Sequence, residues 1–295
     1  MKLAAIDIGS NAARLQISTV LHNDSLVSFK RVEYVRFPLR LGHDVFNFGA
    51  LTPESEARTT KLLQAYKLLM ELHEVEGYMA CATSAMRESS NGHEIADRIE
   101  AATGIKIHII DGSKEAELIN NVVVQALDDQ QYLHIDVGGG STELNVYENR
   151  KKINSKSFKI GSVRLLEGKE HKGAWRKIED WVEDNVDATR EITAVGTGGN
   201  ISKLFNLASK TSELETTRTE IERIRDYIAS FSQEDRINKL RLNADRADVI
   251  VPAADIYISV MKWAGASRII VPDLGLKDGI IQQVYAQRGK RKSMP

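Results

Sequence analysis

Two carboxylates bracket a run of three glycines near the middle of the chain. Asp136 ends an apolar run that begins at residue 133, glycines occupy 138–140, and Glu143 lies just past them in an alternating run that reaches residue 147. Glycines let a backbone approach a ligand closely and turn its amide N–H groups toward it. Amides that hold anionic oxygens, beside carboxylates that hold a cation or accept a proton, are the groups that phosphoryl chemistry requires. Taken alone, the stretch is equally typical of a hairpin with a flexible tip.

Two other stretches repeat this design. The chain opens with LAAIDIGSNAARLQI at 3–17, in which Asp7 ends an apolar strand and Gly9 follows before a second strand starts at Arg14. A third apolar run ends in another glycine turn, within ITAVGTGGN at 192–200. Three strand-ended glycine turns, two of them with an Asp at the strand end, are hard to attribute to chance. The repeated Asp-x-Gly unit indicates an internal duplication, with one unit starting each half.

Two further charged residues occupy positions where chemistry could occur. Arg87 lies just beyond a strand that ends in Thr83 and Ser84, which could form an anion-binding corner, although a lone arginine is more often a surface ion-pair partner. Glu115 falls in the first turn of a helix for which Ser113 is the expected N-cap. On composition alone, Glu115 would only complement the helix dipole.

The elements expected to carry these residues follow a repeated order. In the first half we predict strands at 2–8, 13–20, 26–36, 77–82 and 105–110, with helices at 52–73, 91–104 and 113–127. In the second half we predict strands at 131–137, 141–148, 151–159, 191–195 and 268–272, with helices at 173–185, 200–207, 217–230, 246–265 and 276–287. The aromatic-rich segment 36–49 is expected to be a packed loop.

Length, charge and composition limit the classes of protein to which this chain can belong. The 295 residues predict two domains, 1–127 and 128–295, and the final helix could instead pack back on the first domain. The 40 basic and 41 acidic residues nearly balance, so the chain lacks the overall positive charge that is typical of a nucleic-acid-binding protein. No apolar run approaches the roughly 20 residues of a membrane span. A single cysteine and a start without a signal-peptide pattern favour the reducing cytoplasm.

The motifs, taken in order, resemble those of the exopolyphosphatase / guanosine pentaphosphate phosphatase (Ppx/GppA) family. The matching stretches are AIDIGSN at 5–11, ATSAMRE at 82–88, GSKEAELI at 112–119, DVGGGSTE at 136–143, GTGG at 196–199, DRADVIVP at 245–252 and GLKDG at 275–279. The resemblance covers essentially the whole chain. It implies an α/β fold of two ribonuclease-H-like domains, the actin-like ATPase fold, in which an interdomain cleft clamps phosphates.

The resemblance also implies roles for individual residues. Glu115 matches the family glutamate proposed as the general base that activates the attacking water, and Arg87 matches an arginine that contacts phosphate. Asp136 and Glu143 match carboxylates that hold a divalent cation, Mg²⁺ or Mn²⁺, or orient that water. The implied phosphate-binding residues form three loops: Asp7, Gly9, Ser10, Asn11 and Arg14; Gly138, Gly139, Gly140 and Ser141; and Gly196, Thr197, Gly198 and Gly199.

The implied function is release of terminal orthophosphate from inorganic polyphosphate, guanosine pentaphosphate or both, by a homodimer. Two alternatives remain open: a kinase of the same fold, and a non-catalytic sensor of polyphosphate or guanosine alarmones. The sequence departs from the family pattern at Ala12, Ser113, Lys114, Glu117, Lys277 and Asp278. These departures bear on substrate preference and turnover rather than on reaction class, because Glu115, Arg87, Asp136 and Glu143 are all retained.

Overall fold

The chain divides into two units. A computed structural model describes residues 1–23, 26–187, 189–208 and 214–292, with side chains to residue 288. One unit is Met1–Val122 with Leu276–Pro295, and the other is Val123–Gly275. The sequence-based boundary lay slightly later, between residues 127 and 128. The observed division also groups the last helix with the first unit, which was the alternative considered for that helix.

Strands and helices alternate along the described chain. Up to the middle, the elements are β1 (Lys2–Ile8), β2 (Ala13–Asn23), β3 (Leu26–Phe37), α1 (Leu41–Phe48), α2 (Pro53–Leu72), β4 (Gly77–Ala82), α3 (Ser84–Glu88), α4 (Gly92–Thr103), β5 (Ile107–Ile109) and α5 (Gly112–Val123). After a 3₁₀ turn at Val124–Ala126 come β6 (Gln131–Val137), β7 (Thr142–Glu148), β8 (Lys151–Phe158), α6 (Ser162–Leu166), α7 (Ala174–Asn185), β9 (Ile192–Thr197), α8 (Gly199–Ala208), β10 (Glu215–Thr217), α9 (Arg218–Ala229), α10 (Gln233–Asn238), α11 (Ala244–Ala247), α12 (Ile250–Trp263), β11 (Arg268–Ile270) and α13 (Leu276–Lys292).

The two sheets share a five-strand topology, to which the second sheet adds one edge strand. The first has the order β3-β2-β1-β4-β5, and the second has the order β8-β7-β6-β9-β11-β10. In each sheet the first three strands form an antiparallel meander, and the next two strands of the order join in parallel on the other side of the first strand, whereas β10 pairs antiparallel with β11 at the edge of the second sheet. The α/β class is therefore confirmed, and the repeated topology agrees with the predicted duplication.

In the second sheet, the apolar core residues and the two carboxylates alternate along β6 and β7. Leu133, Ile135 and Leu144 are fully buried in the core cluster that also contains residues of α12. Asp136 and Glu143 are neighbours of these residues along β6 and β7, and successive side chains of a strand point to opposite faces. The carboxylates therefore lie on the sheet face opposite that core.

Two local predictions were wrong. Residues 41–48 were expected in a loop but form α1, a short helix that ends at Gly49 with φ +74°. Its buried Asp44 accepts hydrogen bonds from the backbone N–H and hydroxyl of Thr52, so the helix depends on contacts that periodicity does not reveal. At α5 the expected N-cap was Ser113, but Asp111 accepts the N–H of Lys114 at 2.7 Å and the helix begins one residue before Ser113.

Other boundaries differ less. The helix predicted at 246–265 is broken between Ala247 and Ile250, where α11 ends and α12 begins. The predicted start of α2 is confirmed, because Thr52 Oγ1 accepts the Ser55 N–H at 3.2 Å and Pro53 occupies the first turn. Over the described parts of the chain, no helix is both long and apolar enough to cross a bilayer.

Candidate functional site

The first glycine turn is held by the residues before and within α1. The turn closes when Gly9 N–H donates to the Ala12 carbonyl at 3.1 Å, while the carbonyls of Ser10 and Asn11 accept from Gly42 and Arg40 at 2.7 and 2.8 Å. In a trans peptide the N–H points away from the adjoining C=O. The amides of Asn11 and Ala12 are therefore directed away from α1, as an anion-binding turn requires.

An ion pair and a hydroxyl pair flank this turn. Asp7 and Arg14 are cross-strand partners on β1 and β2, and Arg14 Nη1 donates to Asp7 Oδ2 at 2.8 Å. The buried Ser10 hydroxyl is 2.8 Å from the Ser84 hydroxyl at the start of α3. Asp7 thus has its charge balanced within the protein, and the Ser10 hydroxyl helps to join the first turn to α3.

Glu115 and Arg87 come together at the start of α5. Arg87 Nη1 donates to the Ile110 carbonyl at 2.7 Å, and the same nitrogen is 3.8 Å from Glu115 Oε2. Glu115 is largely buried in the first helical turn, where helix geometry fixes its backbone. The predicted base and the predicted phosphate-contacting arginine therefore lie side by side in the first unit.

Cys81 lies in the same neighbourhood and is almost fully buried. Burial raises the pKa of its thiol to about 12, and the negative charges of Asp7 and Glu115 add to the shift. A thiol with that pKa stays protonated at neutral pH, and the thiolate is the reactive form. Asp7 is the cross-strand partner of Cys81 on β1 and β4.

The second glycine turn is anchored to α6 through all three glycine carbonyls. Gly138 O accepts from Ser162 N at 3.0 Å, Gly139 O accepts from Val163 N and Arg164 N at 2.8 and 3.0 Å, and Gly140 O accepts from Arg164 Nε at 2.8 Å. By the same peptide geometry, the N–H groups of residues 139–141 point away from α6. The turn itself closes through Gly138 N and Ser141 O at 2.9 Å, which matches the first turn.

Gly161 makes this anchoring possible. A Cβ at residue 161 would lie 2.7 Å from the carbonyl carbon and oxygen of Gly139 and from the carbonyl carbon of Gly140. Real Cβ atoms essentially never approach backbone this closely. The glycine is therefore required by close packing against the turn rather than by its backbone angle, since its φ of −161° is ordinary extended backbone.

The carboxylates Asp136 and Glu143 face each other across β6 and β7. They are direct cross-strand partners, and Glu143 Oε1 accepts the Ser157 hydroxyl at 2.8 Å. The equivalent pair at the first turn is Asp7 with Arg14, so the duplication has an anion–cation pair in one unit and two carboxylates in the other. Like charges in directly opposite positions destabilise a strand pair. A bound cation would offset that repulsion.

The third glycine turn starts α8 beside Asp136. Gly198 has φ +106°, and a Cβ there would lie 3.1 Å from Asp136 Oδ1. The fully buried Tyr257 of α12 accepts the Val137 N–H at 3.2 Å and donates to the Thr197 carbonyl. One tyrosine therefore holds the ends of β6 and β9 together, at the point where the second and third turns emerge.

The predicted hydroxyl at this turn faces the protein interior. Thr197 is fully buried, and its Oγ1 lies 2.9 Å from His134 Nε2. Its hydroxyl is therefore part of the support of the turn, and the groups that this turn can offer to an anion are the backbone N–H groups at the start of α8.

Several residues of this site were not anticipated in these roles. From the sequence, no role at this site is assigned to Arg164 or to Tyr257. Gly161, His134 and Asn145 were not singled out at all. For His134 and Asn145 a signal existed, since polar residues interrupt otherwise apolar strands at 133–137 and 144–147. Among the described residues, no group of three or more His, Cys, Asp or Glu forms a metal-binding cluster.

Comparisons of sequence and structure with known proteins all identify the same family. A family model described as the Ppx/GppA phosphatase family matches residues 19–287. Exopolyphosphatase 2 of Mycobacterium tuberculosis is 28% identical over 310 residues, which cover 95% of this chain and 97% of that protein. The bifunctional 3-dehydroquinate synthase/phosphatase of Fusobacterium nucleatum is 28% identical over 301 residues, which cover 92% of this chain but only 44% of that protein. The chain therefore spans less than half the length of that relative.

Solved structures show the same architecture. The Ppx/GppA enzyme of Aquifex aeolicus superposes with a TM-score of 0.76 and 26% identity, over 96% of this chain and 99% of that one. An exopolyphosphatase from Cytophaga hutchinsonii superposes with a TM-score of 0.84 over 97% of this chain and 98% of that one, and its 23% identity makes it evidence of fold alone. The predicted fold class, an α/β protein of the actin-like ATPase type, is confirmed.

Proposed function

Because the chain belongs to the Ppx/GppA phosphatase family, we propose that it is a phosphohydrolase that releases terminal orthophosphate from inorganic polyphosphate. The observation that carries the proposal is the pairing of Asp136 with Glu143 beside a glycine turn whose amides point away from their anchoring helix. Backbone amides suit phosphate oxygens, and paired carboxylates suit the cation that accompanies them. Guanosine pentaphosphate, which carries the same type of anhydride, is the second candidate substrate.

The donor set in the second unit fits Mg²⁺ or Mn²⁺. Mg²⁺ is usually held by one or two carboxylates, with waters and substrate phosphates completing the coordination, rather than by an all-protein cage. Asp136 and Glu143 would supply those carboxylates, with Ser157 orienting one Glu143 oxygen. When bound, the ion would neutralise charge on the transferred phosphoryl group.

The residues of the first unit would activate water. Glu115 would accept a proton from the water as the water oxygen bonds to the terminal phosphorus. The bridging P–O bond then breaks, the shortened chain leaves with the electron pair, and the proton passes from Glu115 to solvent. Arg87, 3.8 Å from Glu115, would offset negative charge on the phosphoryl oxygens. A loose transition state depends on positioning more than on a strong base, so a first-turn glutamate suffices.

The turns would bind phosphate through backbone groups. Residues 139–141 present N–H groups away from α6, and the first turn does the same at Asn11 and Ala12. Such donors are fixed before the substrate arrives, so no reorganisation is needed as charge develops. The departure from the family pattern at Ala12, where the relatives usually have Ser or Thr, is therefore compatible with phosphate binding.

The test is phosphate release with Mg²⁺ or Mn²⁺ from medium-chain polyphosphate and from guanosine pentaphosphate. Glu115→Gln should lower kcat by about a hundredfold or more, the scale of a lost general base. Glu117→Gln is the matched control, because Glu117 lies on the same helix but is exposed and pairs with Lys114 at 2.9 Å. Its activity should stay close to that of the wild type.

Other outcomes would identify the alternatives. Tight polyphosphate binding by the wild type without phosphate release, with either metal, would replace the hydrolase with the sensor. ATP-dependent labelling of an acceptor would identify a kinase. Equal activity of Glu115→Gln and wild type would leave the reaction class standing but remove Glu115 as the base.

A further inference from the structure

A row of polar side chains, three of them buried, crosses the second sheet next to the carboxylates. Asn145 is the cross-strand partner of His134 on one side and of Ser155 on the other. Ser155 Oγ donates to Asn145 Oδ1 at 2.8 Å, and Asn145 Nδ2 lies 2.9 Å from His134 Nδ1. The row ends where His134 Nε2 meets Thr197 Oγ1 at 2.9 Å, so it links four neighbouring strands.

The hydrogen bonds fix the tautomer of His134. Asn145 Oδ1 accepts from Ser155, so the Asn145 amide nitrogen faces His134 Nδ1 and donates to it. Nδ1 therefore has no proton, and the neutral ring carries its proton on Nε2 and donates it to Thr197 Oγ1. A protonated ring would carry hydrogens on both nitrogens, so a ring that accepts at Nδ1 is neutral.

A second row lies one step along the same sheet face. It consists of Ser157, Glu143, Asp136 and Thr197, which are successive cross-strand partners on β8, β7, β6 and β9. Thr197 belongs to both rows, because it is the strand neighbour of Asp136 and the hydrogen-bond partner of His134. The polar row thus ends on the residue that connects the carboxylates with the third glycine turn.

An apolar row would be the simpler way to fill this space. His134, Asn145 and Thr197 are 0%, 1% and 0% exposed, and buried polar groups cost free energy unless every hydrogen bond is made. A pair of leucines would pack there without that requirement. The polar row differs from an apolar one because its hydrogen bonds hold the Thr197 side chain in one orientation.

We propose that His134 and Asn145 are positioning residues that fix Thr197 and, through it, the third glycine turn beside Asp136. The inference rests on the proposed function for its catalytic consequence. Partners behind the ligands of a metal or phosphate site typically change affinity or activity by about 10–100-fold when they are removed. We expect an effect of that size on kcat/KM.

Three variants separate positioning from stability. His134→Leu breaks the row and leaves two buried groups without a hydrogen bond, so stability and kcat/KM should both fall. His134→Gln can accept from Asn145 and donate to Thr197, so it should restore both. The triple variant H134L/N145L/T197V removes the three buried partners together and leaves only Ser155, which is exposed to water, so the change can be nearly neutral for stability. It should unfold near the wild-type temperature, but its kcat/KM should be about tenfold or more below that of the wild type.

Tyr147→Phe is the matched control. Tyr147 is fully buried two residues beyond Asn145 on the same face, and among the described residues its hydroxyl has no hydrogen-bond partner. Removing that hydroxyl should leave kcat/KM unchanged. A triple variant with both wild-type stability and wild-type kcat/KM would overturn the proposal, as would a His134→Gln variant no more active than His134→Leu.

The experiment also distinguishes failure of this inference from failure of the proposed function. Wild-type protein that releases no phosphate would remove the hydrolase. The same variants are then compared by the dissociation constant of inorganic tripolyphosphate with Mg²⁺, which needs no turnover. Weaker binding by His134→Leu and by the triple variant, with recovery in His134→Gln, would still support positioning, whereas unchanged dissociation constants would refute it.

Discussion

Replacing Gly161 with alanine tests whether the anchor on α6 orients the second glycine turn. The added Cβ would lie 2.7 Å from backbone atoms of Gly139 and Gly140, which is about 0.7 Å inside ordinary contact at 3.4 Å. The atoms it meets are backbone atoms, so no flexible side chain can move aside. The extended φ of residue 161 suits alanine, so the perturbation acts through contact alone.

The expected magnitude follows from that displacement. Overpacking of this kind costs about 1–3 kcal/mol of stability. A shift of the turn by about 0.7 Å also misaligns the amides of residues 139–141, and a misplacement of 1 Å can cost about a hundredfold in rate. We therefore expect kcat/KM for polyphosphate to fall by about ten- to a hundredfold.

Gly173→Ala separates this effect from a general loss of stability. Gly173 has φ +78° and nothing within 4 Å of its Cβ position, so alanine there meets left-handed strain of about 1 kcal/mol without touching the turn. Both variants are measured by thermal unfolding and phosphate release. Wild-type kcat/KM in a folded Gly161→Ala protein would refute the idea that the carbonyl anchors set the direction of the amides.

Features that are local in sequence could be predicted. An apolar run, an Asp and a glycine define a strand end on their own, so the turns after Asp7 and Asp136 can be identified from the amino-acid sequence alone. Only the family resemblance gave Arg87 and Glu115 roles in one phosphate site, since each residue alone is typical of a surface or first-turn charge.

Features that depend on register or close approach could not be predicted. His134 meets Asn145 because β6 and β7 pair in one register, and one step of slip would send every side chain to the other face. Gly161 is just one of the chain's 20 glycines until its distance from Gly139 is known. Helix α1 was missed because eight residues give too little periodicity and its stability comes from contacts such as Asp44 with Thr52.

The remaining predictions concern the support of α5 and the buried histidine. In Gly279→Ala the new Cβ would lie 2.1 Å from the Leu118 carbonyl oxygen, so α13 and α5 must separate. We expect a stability loss of about 1–3 kcal/mol and, because α5 carries Glu115, a lower kcat, whereas Gly265→Ala, with nothing within 4 Å, should lose only stability. For His134, burial lowers the folded-state pKa to about 3 against an ordinary value of 6.5. Above pH 6.5 both states are neutral and the contribution of His134 to stability is complete. As the pH falls from 6.5 toward 3, the unfolded chain binds a proton that the folded protein does not, so this contribution is lost at about 1.4 kcal/mol per pH unit. Urea unfolding between pH 7 and 4 should therefore show a steeper loss of stability for wild type than for His134→Gln, in which every other titrating group is unchanged. Parallel curves would show that the imidazole takes up its proton in the folded state, which contradicts a neutral ring donating to Thr197.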